Sequence, residues 1–253
     1  MRHPHAHQLV YAGDISFTDC ITLTQAEEKA RRFLGNTIEA LDSTGVILKG
    51  NTVFRLLGAS ALTSAAQAGL LLFGDYKLFD VLGTVKNDLS WLRLVQNLKI
   101  LTICEKVPVK VFEEASKLLP STIIAPIYPL TDLEDADFKK RGEVNRETAV
   151  RAFFDRVNQL PINGAVCAPT DLRFTPSNFT VGKEIISPGI RKDGPIDAND
   201  TNAVNAMTIR EAILAGTTIP VAGGMLREGG DLRGNTLRAC DQIGEAIIER
   251  DGK

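Results

Sequence analysis

The sequence predicts an α/β protein folded as a single-domain (β/α)8 TIM barrel. Three observations carry that prediction. Eight short apolar runs are spread along 253 residues, amphipathic segments separate them, and no GxGxxG turn follows the first run. An open doubly wound sheet is the competing architecture. It would need fewer strands and usually opens on such a glycine-rich turn.

The strand candidates are 8–15 (QLVYAGDI), 45–50 (GVILKG), 70–78 (LLLFGDYKL), 100–105 (ILTICE), 121–128 (STIIAPIY), 164–169 (GAVCAP), 184–190 (EIISPGI) and 218–225 (TIPVAGGM). Between them, segments such as 24–42, 144–160, 201–216 and 232–248 repeat apolar residues at three and four, the spacing of a helix packed on a sheet. Residues 1–7 read as a flexible tail and 8–253 as the barrel domain. That tail carries all three histidines, His3, His5 and His7, with no acid or cysteine nearby to complete a metal site. The insertion 129–145 after the fifth strand reads either as a cover for a ligand or as a solvated loop.

Composition narrows the function classes. Hydrophobic content of 44%, charged content of 24% and a net charge of −2 describe an ordinary globular protein. They offer no general attraction for nucleic acid or an anionic membrane. No apolar run reaches the roughly 20 residues a membrane span requires, and no apolar signal core marks the N-terminus, so a cytoplasmic location is expected. Cys20, Cys104, Cys167 and Cys240 are scattered without a CxxC pair and read as reduced core thiols.

In a barrel of this kind, chemistry gathers at the C-terminal ends of the strands. The polar residues of this chain fall there. Strand 1 ends in Asp14, strand 2 in Lys49, and strand 3 in Asp75 and Lys77, with Asp80 three residues further on. Asp75 and Lys77 are two apart and so share a strand face, while Lys49 arrives from the neighbouring strand. Lys49, Asp75, Lys77 and Asp80 alternate in sign, which offsets much of the cost of desolvating each charge. Apolar replacements would often be as stable as a buried ion network, so the arrangement points to catalysis. A lysine clamped between carboxylates stays protonated and can deliver a proton to a developing carbanion. A carboxylate beside an anionic substrate group favours loss of that group as carbon dioxide.

Loops after strands 7 and 8 commonly cradle phosphate in such barrels. Here strand 7 ends in Pro188 and Gly189, followed by Arg191, and strand 8 ends in Gly223 and Gly224, followed by Arg227. Glycines let backbone N–H groups approach phosphate oxygens, so these two strand ends predict a phosphorylated ligand.

The segments LKGNTVFRLLG, DYKLFDVLGT, GAVCAP and SPGIR, in this order and spacing, resemble the orotidine 5′-phosphate decarboxylase family along nearly the whole chain, from Asp14 to the last helix. The DxKxxD element is shared with the wider suprafamily, which includes the Mg²⁺-dependent hexulose-phosphate synthases and keto-gulonate-phosphate decarboxylases. Lys49 stands where those metal-dependent relatives carry an acid. The resemblance therefore implies decarboxylation of orotidine 5′-monophosphate to UMP in de novo pyrimidine biosynthesis, with no cofactor and no metal. It implies that Lys77 protonates C6 of the pyrimidine, that Asp75 faces the substrate carboxylate, and that Lys49 and Asp80 complete the charged network. It further implies that Asp14 and Lys49 hold the ribose hydroxyls, that Arg191 matches the arginine of the Pro-Gly-Ile-Arg segment, and that Asp80 and Thr84 serve the neighbouring subunit of a homodimer. Ala222, Gly223 and Gly224 stand where the family has Val-Gly-Arg, and Pro126 stands near the position of its strand-5 serine. A Mg²⁺-dependent enzyme acting on another phosphorylated substrate and a nucleotide-binding protein without turnover are the alternative readings.

Overall fold

A computed structural model describes residues 2–127, 135–140, 142, 144–175, 179, 182–192 and 206–252. Eight parallel strands close into a barrel in sequence order, β1 to β8, with β8 pairing back onto β1. The strands are β1 (Val10–Ala12), β2 (Ile47–Gly50), β3 (Leu71–Leu78), β4 (Leu98–Cys104), β5 (Ile123–Ile127), β6 (Gly164–Val166), β7 (Glu184–Ile190) and β8 (Ile219–Ala222). The helices around them are α1 (Leu23–Leu41), α2 (Thr52–Leu57), α3 (Ala59–Gln67), α4 (Leu82–Leu92), α5 (Val109–Leu118), α6 (Asp135–Lys140), α7 (Arg146–Gln159), α8 (Ile209–Ala215), α9 (Gly224–Arg227) and α10 (Leu232–Asp251). Among the described residues, no helix is long and apolar enough to cross a membrane.

The strands read as continuous apolar runs because both of their faces are buried. One set of residues, including Val10, Ile47, Phe73, Ile100, Ile123, Val166, Ile186 and Val221, fills the barrel interior. Their neighbours in sequence, such as Tyr11, Leu48, Leu72, Leu101 and Ile124, pack outward in a second cluster with the helices. Local chemistry sets the helix starts. Thr22 caps α1 and Thr208 caps α8, each in a reciprocal box with Gln25 or Glu211, and the Asn145 side chain accepts from Thr148 N at the start of α7.

Several elements differ from the sequence expectation. β1 and β8 are each shorter than predicted, because Gly13 and Asp14 already belong to the loop after β1 and Gly224 opens the short helix α9. Residues 3–7, expected to belong to a flexible tail, lie against α10 and the barrel: Ala6 is buried, His3 Nε2 is 3.0 Å from Asp241 Oδ1, and the His5 ring lies where a Cβ on Gly244 would project. All four cysteines are free thiols, but only Cys167 and Cys240 are buried, with Cys20 and Cys104 partly exposed. Residues 129–134, 141 and 143 of the insertion and 201–205 of segment 201–216 lie outside the described residues.

Gly50 follows Lys49 on β2, and a Cβ there would lie inside the van der Waals envelope of the buried Phe54 ring. Gly50→Ala is expected to destabilise the barrel by about 1–3 kcal/mol, as overpacking of a filled site does. A thermal midpoint equal to that of the wild type would contradict this account of how the end of β2 is packed.

Candidate active site

The mouth formed by the C-terminal ends of β1 to β4 carries a row of charges. Lys49, on β2, is paired in register with Ala12 of β1 and Phe73 of β3. Its ammonium lies 2.8 Å from Asp14 Oδ2 and 3.1 Å from Asp75 Oδ2. The other oxygen of Asp75 lies 2.8 Å from Lys77 Nζ. The order across the mouth is therefore Asp14, Lys49, Asp75, Lys77, with carboxylate and ammonium alternating. Two charges of each sign balance, which is what makes the partial burial of Lys49 and Asp75 tolerable.

Burial alone would push Asp75 up, but the Lys49 and Lys77 ammonium groups overcome it and hold the carboxyl below its ordinary value of 3.8. Burial alone would push Lys49 down, but Asp75 and Asp14 overcome it and hold the amine above its ordinary value of 10.5. Asp75 thus adds stability above the usual carboxylate range, and that stability is lost as pH falls through its depressed value. Lys49 adds stability below the usual lysine range, and that stability is lost as pH rises through its elevated value. Across the neutral range both stay charged.

Asp75 and Lys77 do meet, but simple strand alternation does not bring them together. The β3–β4 register shifts between Gly74 and Leu78, and Lys77 takes a left-handed φ of +50°. A left-handed conformation costs a non-glycine residue roughly 1–2 kcal/mol, and bulges that re-aim a side chain are frequent beside active sites. Thr102, on β4, supports the bulge: its hydroxyl is 3.0 Å from Asp75 Oδ1 and accepts from Lys77 N at 3.0 Å. Sequence reasoning missed Thr102, whose one signal is a hydroxyl within the apolar run ILTICE.

Asp14 Oδ1 is shielded from solvent and, among the described residues, has no hydrogen-bond partner. It is an open acceptor at the edge of the mouth. Asp80 does not join the row within one chain. It is exposed, accepts from Val81 N at 2.6 Å, and stands between Phe79 and Val81, which are 69% and 70% exposed. Thr84, on the first turn of α4, is exposed as well.

The predicted phosphate residues follow the ends of β7 and β8, two strands that pair through Ile190 and Ala222. Gly223 and Gly224 turn the chain from β8 into α9 beside β1, where a Cβ on Gly223 would touch that of Ala12 at 3.4 Å. Arg227, at the end of α9, donates through Nη1 to the Asp14 carbonyl at 2.9 Å, bridging the β8 end to the loop after β1. Gly189 has a φ of +90° and, with Pro188, lies where the β7–β8 register shifts. The Arg191 backbone is pinned to Met207, and its side chain lines a cavity of about 440 Å³ with Lys192, Arg210 and residues of α10. Most of the loop beyond Lys192 lies outside the described residues.

Fold and site together define a (β/α)8 barrel with an alternating carboxylate–ammonium row at the C-terminal ends of its strands. Among the described residues, no three His, Cys, Asp or Glu side chains cluster as a metal-binding group. No family model matches the chain. Known proteins supply the particular resemblance, which is to orotidine 5′-phosphate decarboxylases. The chain is 27% identical over 194 residues to that enzyme from a Wolbachia of Brugia malayi, an alignment covering 75% of this chain and 83% of the relative. It is 24% identical over 217 residues to that of Prochlorococcus marinus, covering 81% and 89%. In fold it is similar to the crystal structure of orotidine 5′-phosphate decarboxylase from Lactobacillus acidophilus, with a TM-score of 0.69 at 16% identity, over 93% of this chain and 98% of the other.

Proposed function

We propose that this protein converts orotidine 5′-monophosphate to UMP and carbon dioxide, with no metal or organic cofactor, as a step of de novo pyrimidine biosynthesis in the cytoplasm. The observation that carries the reading is the 2.8 Å contact between Asp75 and Lys77 at the barrel mouth, with Lys49 on the far side of the same carboxylate. Curated relatives bearing the name of this decarboxylase support it.

In this mechanism the substrate carboxylate is placed against Asp75, and repulsion between the two anions is relieved as carbon dioxide leaves. The bond from C6 to the carboxylate breaks and its electron pair stays on C6. Lys77 then gives a proton to C6, and its amine is reprotonated from solvent. Lys49 keeps Asp75 ionised throughout. Its ammonium lies within 3.1 Å of both Asp75 and Asp14 and itself supplies the positive charge between the two carboxylates, which supports metal-free chemistry.

The open oxygen of Asp14 suits a ribose hydroxyl. Backbone N–H groups at Gly223 and Gly224, with Arg227 and the Pro188–Arg191 segment, are assigned to the phosphate side. We assign residues 8–253 to one catalytic domain that pairs as a homodimer, with Asp80 and Thr84 of each subunit completing the neighbour's site. Their exposure beside the uncovered apolar side chains Phe79 and Val81 supports that assignment.

The test is incubation of the purified protein with orotidine 5′-monophosphate labelled at the carboxylate. Labelled carbon dioxide and an equal amount of UMP are expected. Unchanged nucleotide in the presence of folded protein would refute the reading.

A further inference from the structure

We propose that Thr102 is a positioning residue that fixes the geometry of the Asp75–Lys77 pair. The inference rests on the decarboxylase reading for its kinetic consequence, and on geometry alone for its structural one.

Thr102 is fully buried in the middle of β4. A hydroxyl has one proton to donate and lone pairs to accept, and both capacities are used here within the reacting group. The proton is directed at Asp75 Oδ1, 3.0 Å away, in preference to the Gly74 carbonyl at 3.5 Å. The lone pair receives the Lys77 backbone N–H at 3.0 Å. One side chain thereby touches the carboxylate and the main chain of the lysine that pairs with it.

That second contact matters because Lys77 is held in a left-handed conformation that a lysine does not adopt unaided. Its backbone falls in a stretch where the β3–β4 ladder is interrupted, so the hydroxyl takes the place of a ladder carbonyl. Without it, the N–H would lose its buried acceptor and the segment would relax toward extended backbone, turning the ammonium away from Asp75. The stiffness of a β-branched side chain on a central strand fixes where the oxygen sits.

Thr102→Val keeps the shape and removes the hydroxyl, whereas Thr102→Ser keeps the hydroxyl. In the full-length protein, Thr102→Val is expected to lower kcat about 10- to 100-fold with KM within about threefold of wild type, since the lost interaction serves the transition state. Thr102→Ser is expected to recover kcat to within about fivefold of wild type. Amide hydrogen exchange, followed by NMR, should be accelerated at Lys77 in the valine variant and near wild type in the serine variant. A valine variant with wild-type kcat and wild-type Lys77 exchange would overturn the proposal, as would a serine variant as slow as the valine one. If the wild-type protein itself releases no carbon dioxide, the decarboxylase reading fails separately, and Lys77 exchange still decides whether Thr102 holds that residue.

Discussion

Lys77→Ala is expected to lower turnover of orotidine 5′-monophosphate by about 10⁴-fold, the upper range for loss of a positioned general acid. The barrel should survive the change. The Lys77 side chain is about one-third exposed, and after its removal Asp75 keeps Lys49 at 3.1 Å and the Thr102 hydroxyl at 3.0 Å. Stability should fall by about 1 kcal/mol, in keeping with a partly exposed ion pair whose carboxylate keeps a second lysine. The comparison to make is kcat against the thermal midpoint of the same preparation. Near-normal turnover would remove Lys77 from the chemistry, and a collapsed midpoint would make it a structural residue.

Mixing two inactive variants should produce activity. In the proposed homodimer each site takes Lys77 from one subunit and Asp80 from the other. A Lys77→Ala chain paired with an Asp80→Ala chain then holds one site lacking both groups and one site with both intact. Random exchange makes half of the dimers mixed, each with one working site of two, so the mixture should recover about one quarter of wild-type activity. The parents alone should show almost none. The motivation is the position of Asp80, which faces outward between Phe79 and Val81 instead of joining the row within its own chain. A mixture no more active than its parents, under conditions where subunits demonstrably exchange, would place Asp80 outside the shared site.

Much of the architecture was legible because a parallel barrel buries both faces of its strands, and LLLFG or STIIA is what such a strand looks like in sequence. Asp14, Lys49, Asp75 and Lys77 were legible for the complementary reason: ionisable groups at the ends of apolar runs have to be compensated, and the fold says where those ends converge. Other features were not, each for a physical cause. The left-handed turn at Lys77 has no glycine or asparagine to announce it. Thr102 is an ordinary strand residue until the register of β3 on β4 sets its hydroxyl between two residues some 25 positions away. The acceptor for Arg227 is a backbone carbonyl, which carries no sequence signature. The packing of His5 against α10 depends on the missing side chain of Gly244, more than 200 residues distant in the chain.

In the proposed mechanism a lysine-bridged row of carboxylates performs the decarboxylation without a metal ion. The most direct test is turnover of orotidine 5′-monophosphate by protein exhaustively treated with EDTA, followed as loss of the ultraviolet absorbance of the orotate ring. The same kcat is expected before treatment, after treatment and after Mg²⁺ is added back. Activity abolished by the chelator and restored by Mg²⁺ would contradict it.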